Sequence, residues 1–233
     1  MIVSIHQPHF LPWMGYINKI LRSDIFILLN TVQYRPRYYQ NRAKIRRNND
    51  AIWISVPVHS ERETKIQDVT IVQDQDWQKN ITSNIENLYR KKPFFNKYWQ
   101  PIKYSILKEA NTLDVLDFNI LTTLLELLDI SHVKLFIASD LAVTTTDPTQ
   151  RLVDLCIASG GTSYISGRGG RDYMEVNKFS EANINVIYQD LDFNSVVYSQ
   201  GEELFVPGLS VIDAIFNIGP IDTRKIIENA WSI

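Results

Sequence analysis

An apolar run, Met1 to Ile5, ends in His6-Gln7-Pro8-His9, and Trp13 and Tyr16 follow within ten positions. Imidazole titrates nearest neutrality of all side chains, so His6 at a strand end is the candidate general base. A backbone-bonded structural histidine is the competing reading. His9 stands three residues on, close enough to share a metal with His6. No third ligand is spaced nearby, and no H-x-x-x-H, paired C-x-x-C or dense Asp/Glu/His cluster occurs, so no metal site is expected. Gln7 offers an amide for hydrogen bonding. Trp13 and Tyr16 offer aromatic faces to a ligand, although their spacing also suits packing on one helix face.

A second polar group lies in TVQYRPRYYQNRAKIRR, residues 31–47, with six arginines or lysines. Arginine alternating with tyrosine favours stacking on flat or sugar-bearing ligands, which makes Gln33, Tyr34, Gln40, Asn41 and Arg42 candidates. A third group is Ser166-Gly167-Arg168-Gly169-Gly170 with Tyr173 nearby. Successive backbone N–H groups there, helped by Arg168 and Arg171, suit a phosphate. The stretch is neither G-x-G-x-x-G nor a P-loop. Cys156, among Leu152, Leu155 and Ile157, reads as a buried structural thiol, and no G-x-S-x-G is present. One base, neutral hydrogen-bonding groups, aromatics and arginines remain. Acyl transfer to an amine asks for little more, if the acyl group arrives as an activated thioester or adenylate. No cofactor is evident.

These groups need elements to position them. MIVSIH and DIFILLN are continuous apolar runs typical of strands covered on both faces, with a helix from about Pro12 to Arg22 between them. AIWISVPV reads as a further strand, with IQDVTIV (66–72) as a possible partner. From Trp77 to Leu128 apolar residues recur every three or four positions, predicting two or three helices and a helical insertion over 75–130. VKLFIAS, TSYIS and INVIYQDL read as strands, and a helix opens at Asp147-Pro148-Thr149. Residues 209–217 and 221–230 read as helices. The expected fold is a single α/β domain over 1–233, with a mainly parallel, Rossmann-like sheet and that insertion. In such a sheet, loops at the carboxyl ends of the strands converge, which would bring the three polar groups together.

The balance of 24 Lys+Arg against 26 Asp+Glu supplies no global field for nucleic acid. One cysteine fits a reducing compartment, and no apolar run is long enough to span a bilayer. A cytoplasmic protein with no membrane insertion is expected.

IHQPHFLPWMGYINKI, SDIFILLNTVQYRPRYYQNRAKI, WISVPV, YISGRGGRDY and LSVIDAIFNIG, in that order, resemble the WbqC-like protein family from His6 to Gly219. The matching motif positions are His6, Gln7, Trp13, Tyr16, Gln33, Tyr34, Asn41, Arg42, Ser166, Gly167, Ser210 and Asp213. The resemblance implies a role in bacterial surface polysaccharide (O-antigen, lipopolysaccharide) biosynthesis. There the expected activity is a glycyl-type or other N-acyltransferase acting on an amino sugar, with a nucleotide-linked sugar as the expected form. An acyl-carrier protein is the implied partner. A non-catalytic module that presents a nucleotide sugar or a carrier-bound acyl group is the alternative. The strand–loop–helix opening and the ISGRGGR stretch are also similar to nucleotidyltransferase-type Rossmann domains, with Trp13 and Tyr16 where those enzymes keep histidines.

Overall fold

The apolar runs lie side by side in one parallel sheet. The protein is described from a computed structural model covering residues 1–73, 76–191, 196–202 and 204–230. β1 (Ile2–His6) leads through a loop into α1 (Met14–Leu21), and β2 (Ile25–Leu28) returns beside β1, with Ile5 opposite Ile27 and His6 opposite Leu28. The chain then leaves the sheet. It makes an antiparallel pair of β3 (Arg42–Arg47) with β4 (Asp50–Ser55) and a short pair of β5 (Val58–His59) with β6 (Thr70–Ile71). Three helices follow, α2 (Trp77–Tyr89), α3 (Phe95–Leu107) and α4 (Leu113–Leu127). β7 (Lys134–Ile137) re-enters beside β2. Then come α5 (Pro148–Ala158), β8 (Ser163–Ser166), α6 (Val176–Glu181), β9 (Asn185–Tyr188) and α7 (Val211–Asn229). The last helix breaks at Gly219, where φ is 79° and only glycine sits without strain, and Pro220 starts its second half.

The sheet order is β7-β2-β1-β8-β9, all parallel. Counted along the chain, the five strands run 3-2-1-4-5. The sheet therefore grows in one direction from β1 and then in the other, and a crevice opens between the carboxyl ends of β1 and β8. The β1–β8 ladder reaches only to Ser4 opposite Ile165, so the two strands part before the polar residues begin. On one face Phe26 and Leu28 pack with α1, α2, α3, α4 and α7 in a core that includes Ile17, Ile120 and Phe216. On the other, Val3, Ile5, Ile25 and Ile27 pack with Leu155, Cys156 and Phe179 of α5 and α6.

Three details differ from the pattern in the sequence. α1 starts at Met14, because Trp13 holds extended backbone at the N-cap. Residues 42–47 form a strand within the stretch expected to be a binding loop, since Ala43 and Ile45 alternate inward against α2 and α7. Of 66–72, only Thr70 and Ile71 pair, and they do so with Val58 and His59. Position 75, where the expected insertion begins, lies outside the described residues. Among the described residues no helix is long and apolar enough to cross a membrane.

Candidate functional site

Outside the carboxyl ends of β1 and β8 lies a cavity of about 940 Å³. His6 and Gln7 enter it from the end of β1, Trp13 and Lys19 from α1, and Gln33, Arg35 and Tyr38 from the loop after β2. Arg151 of α5, Ser166 to Gly170, Tyr173 and Gln189 complete the far side. Among the described residues, five cationic side chains line it (Lys19, Arg35, Lys65, Arg151 and Arg168) against the one carboxylate of Glu63. In a chain of net charge −2 this concentrates positive potential in one concave place.

His6 is fixed in a defined tautomer. Its Nδ1 lies 3.0 Å from the Gln7 carbonyl, which can only accept, so Nδ1 carries the proton and Nε2 keeps its lone pair. Burial, and then the nearby Lys19, hold the imidazole pKa down to about 3, so the ring is neutral at physiological pH. Gln7 is oriented by a relay. The Arg35 N–H donates to Gln40 Oε1 at 2.8 Å, and Gln40 Nε2 donates to Gln7 Oε1 at 2.7 Å. That anchoring leaves Gln7 Nε2 as the donor on the cavity wall.

Gly15 explains the spacing of Trp13. A Cβ on Gly15 would stand 2.2 Å from Trp13 Cη2 and 2.5 Å from Cζ2, because the indole lies across the helix backbone there. The indole divides the main cavity from a small apolar one of about 50 Å³, lined by Met14, Tyr198, Phe205, Pro207 and Leu209. After β8 the glycine-rich stretch winds into a 3-10 turn over Arg168–Asp172. A side chain on Gly170 would collide with Ser166 Oγ at 2.0 Å, whereas Gly167 and Gly169 face open space. Arg168 sits at the rim, paired with Asp190 at 2.8 Å and donating to the Leu191 carbonyl.

His6, Gln7, Trp13, Gln33, Ser166, Gly167, Arg168 and Tyr173 are thus brought together, and the remaining candidates do not line the cavity. His9 is buried, packed between Tyr16 and Tyr39 with ring centroids 4.8 and 5.2 Å away. Tyr16 is equally buried, and burial pushes its pKa well up. Tyr34 is buried under the loop that carries it, and Asn41 donates to the Val56 carbonyl at 2.9 Å. Arg42 stacks on Trp53, 4.0 Å from the ring centroid, and bonds the Arg37 carbonyl. Ser210 caps α7. Asp213 is buried and accepts from Tyr89 at 2.8 Å and Tyr198 at 2.7 Å, which makes it a structural anchor. Among the described residues no group of three or more His, Cys, Asp or Glu is placed to hold a metal.

Lys19, Arg151 and Gln189 were not legible as site residues. The available signal for Lys19 was a lysine set between Ile17, Ile20 and Leu21 in a helix short enough to be covered on all sides. It is 3% exposed, and burial pulls its pKa down to about 7. Arg151 is braced by the carbonyls of Thr145 and Thr146, both at 2.9 Å. Gln189 donates to Gly15 O and Asn18 Oδ1, tying the loop after β9 to α1.

Comparison with known proteins gives two findings. Residues 7–225 match the WbqC-like protein family. The uncharacterized protein Rv1507c of Mycobacterium tuberculosis is 31% identical over 220 residues, which cover 93% of this chain and 94% of that one.

Proposed function

The chain belongs to the WbqC-like protein family, and from that membership and the cavity's chemistry we propose an N-acyltransferase that acylates an amino sugar, nucleotide-linked, for bacterial surface polysaccharide. The cationic, aromatic-walled cavity at the β1/β8 crevice of a Rossmann-like sheet carries this reading. Arg151 and Arg168 suit phosphate oxygens, because guanidinium groups fork onto them. Trp13 and Tyr38 offer faces for a sugar or base, and Gln33 and Gln7 offer amides to its hydroxyls.

In the reaction the sugar amine attacks the carbonyl of an activated thioester, delivered by a carrier protein or coenzyme. The C–N bond forms, and the tetrahedral oxyanion accepts from Gln7 Nε2. His6 Nε2 takes the amine proton and returns it to the departing sulfur as the C–S bond breaks. An adenylate donor would follow the same course, with the acyl C–O bond breaking and AMP leaving. His6→Ala should lower turnover by roughly 10²–10⁴-fold while sugar-nucleotide affinity holds. Mass-spectrometric detection of N-acylated product, with purified protein and a panel of thioesters and amino-sugar nucleotides, tests the reading.

The low basicity of His6 favours a second reading, a module that holds the nucleotide sugar for a separate acyltransferase. It predicts tight binding and no product at any donor concentration.

A further inference from the structure

α1 is buried along its whole length, so each polar group on it needs a partner. Asn18 has two, donating to the Ile227 carbonyl at 2.7 Å and accepting from Gln189 at 2.8 Å. Lys19 has three N–H bonds to place. One goes to the Ile5 carbonyl at 2.9 Å, the group released where the β1–β8 ladder stops. No ion pair among the described residues includes Lys19. The titratable groups around it are His6 from β1, His9 from the following loop, Cys156 from α5 and Tyr164 from β8, whose ring centroid is 5.9 Å away. None is anionic near neutrality, since burial holds both imidazoles low and both the thiol and the phenol high. A desolvated ammonium without a counter-charge is costly, and among the described residues only the Ile5 carbonyl and the face of Tyr164 offset it, neither of them an anion. Its Nζ lies in the split between β1 and β8 and it lines the cavity.

We propose that Lys19 anchors a phosphate group of the cavity's ligand, seated in the split between β1 and β8 with the Ser166–Gly170 turn on its other side. The proposal rests on the functional reading only for the class of ligand. Gly167 and Gly169 leave open faces on that side, which lets backbone approach an oxyanion closely. The phosphate supplies the missing counter-charge and raises the proton affinity of Lys19. Binding therefore takes up protons near pH 7, because burial has already drawn the Lys19 pKa down to about 7. The same anion offsets the Lys19 charge, the smaller of the two causes that depress His6, while burial, the larger, remains.

The test is calorimetric titration of the full chain with pyrophosphate, ADP and UDP, in two buffers of different ionisation enthalpy. Wild type should bind at least one probe with proton uptake. Lys19→Gln keeps a donor for the Ile5 carbonyl without the charge. It should raise Kd ~10- to 100-fold and abolish the uptake. Lys19→Met should lose affinity similarly yet unfold at a higher temperature than wild type. Unchanged affinity in Lys19→Gln overturns the proposal and makes Lys19 a strut for β1. So does a wild type that binds none of the probes, or one that binds acetate or glycine more tightly than pyrophosphate. Phosphate binding through Lys19 without any acyl product would keep this inference and remove the acyltransferase reading. Acyl transfer indifferent to Lys19→Gln would do the reverse.

Discussion

Gly15→Ala perturbs the wall of the cavity by one methyl group. The new Cβ would sit 2.2 Å from Trp13 Cη2 and 2.5 Å from Cζ2 and Cζ3, against an ordinary carbon–carbon contact of about 3.5–4.0 Å. The indole must therefore shift by more than about 1 Å, which costs on the order of 1–3 kcal/mol in a packed site. Alanine also favours the helix over glycine by about 1 kcal/mol. Net destabilisation in wild type should be about 0–2 kcal/mol. In a Trp13→Ala background the clash is gone, and Gly15→Ala should stabilise by about 0.5–1 kcal/mol. The coupling between the two positions is then about 1–3 kcal/mol, well above the scatter of about 0.5 kcal/mol for independent sites. Urea unfolding of the four proteins reads it directly. Equal effects of Gly15→Ala in both backgrounds would refute the claim that the indole requires this glycine. Because Trp13 also lines the cavity, Gly15→Ala should weaken UDP or pyrophosphate binding, whereas substitution of an exposed residue such as Ile221 should not.

Two further outcomes follow from buried groups. Asp117 is 1% exposed with neither carboxylate oxygen hydrogen-bonded, and burial, then Asp114, push its pKa well above the ordinary value. Its folded pKa is raised, so stability present below about pH 4 is lost as pH rises. Asp117→Asn should therefore gain stability on wild type as pH goes from 4.5 to 8, and a pH-independent difference in unfolding midpoint would contradict this. Cys156 is fully buried with its thiol pushed up to about 12, so Ellman's reagent should label the native protein at least ~100-fold more slowly than the denatured chain. Rapid labelling under native conditions would mean that α5 opens.

The parallel sheet was readable because strands covered on both faces must be apolar almost throughout, and IVSI and IFIL say so. The break before α7's second half was readable from Gly219-Pro220. β4 was read as a strand from AIWISVPV, but its partner β3 was hidden by its own chemistry. Arg42, Lys44 and Arg46 mask the alternation of Ala43 and Ile45, and Arg46 turns inward because Gln200 and the Leu204 carbonyl, far along the chain, accept its hydrogen bonds. His9 resembles His6 in the sequence, yet its ring packs inside. Phe10 N–H bonds the Tyr39 carbonyl at 3.0 Å and Leu11 turns at φ 43°, which draws the loop into the core. Lys19 could not be read from the sequence for a simpler reason. Its importance lies in having no anionic counterpart among the described residues, and only three dimensions reveal that.

The strand order has a consequence for how the chain reaches this state during synthesis. β1 is the middle strand, yet its partner on one side is β8, with Ile2 opposite Ser163. Between β2 and β7 the ribosome must also deliver the hairpins and three helices before the outer strand can dock. For most of translation the central strand therefore has one hydrogen-bonding edge open, with an apolar face on either side. Such late, long-range closure is slow and exposes sticky edges. Yield of native protein should depend on elongation speed and on chaperones that shield a nascent chain, far more than it would for a sheet laid down from one edge to the other.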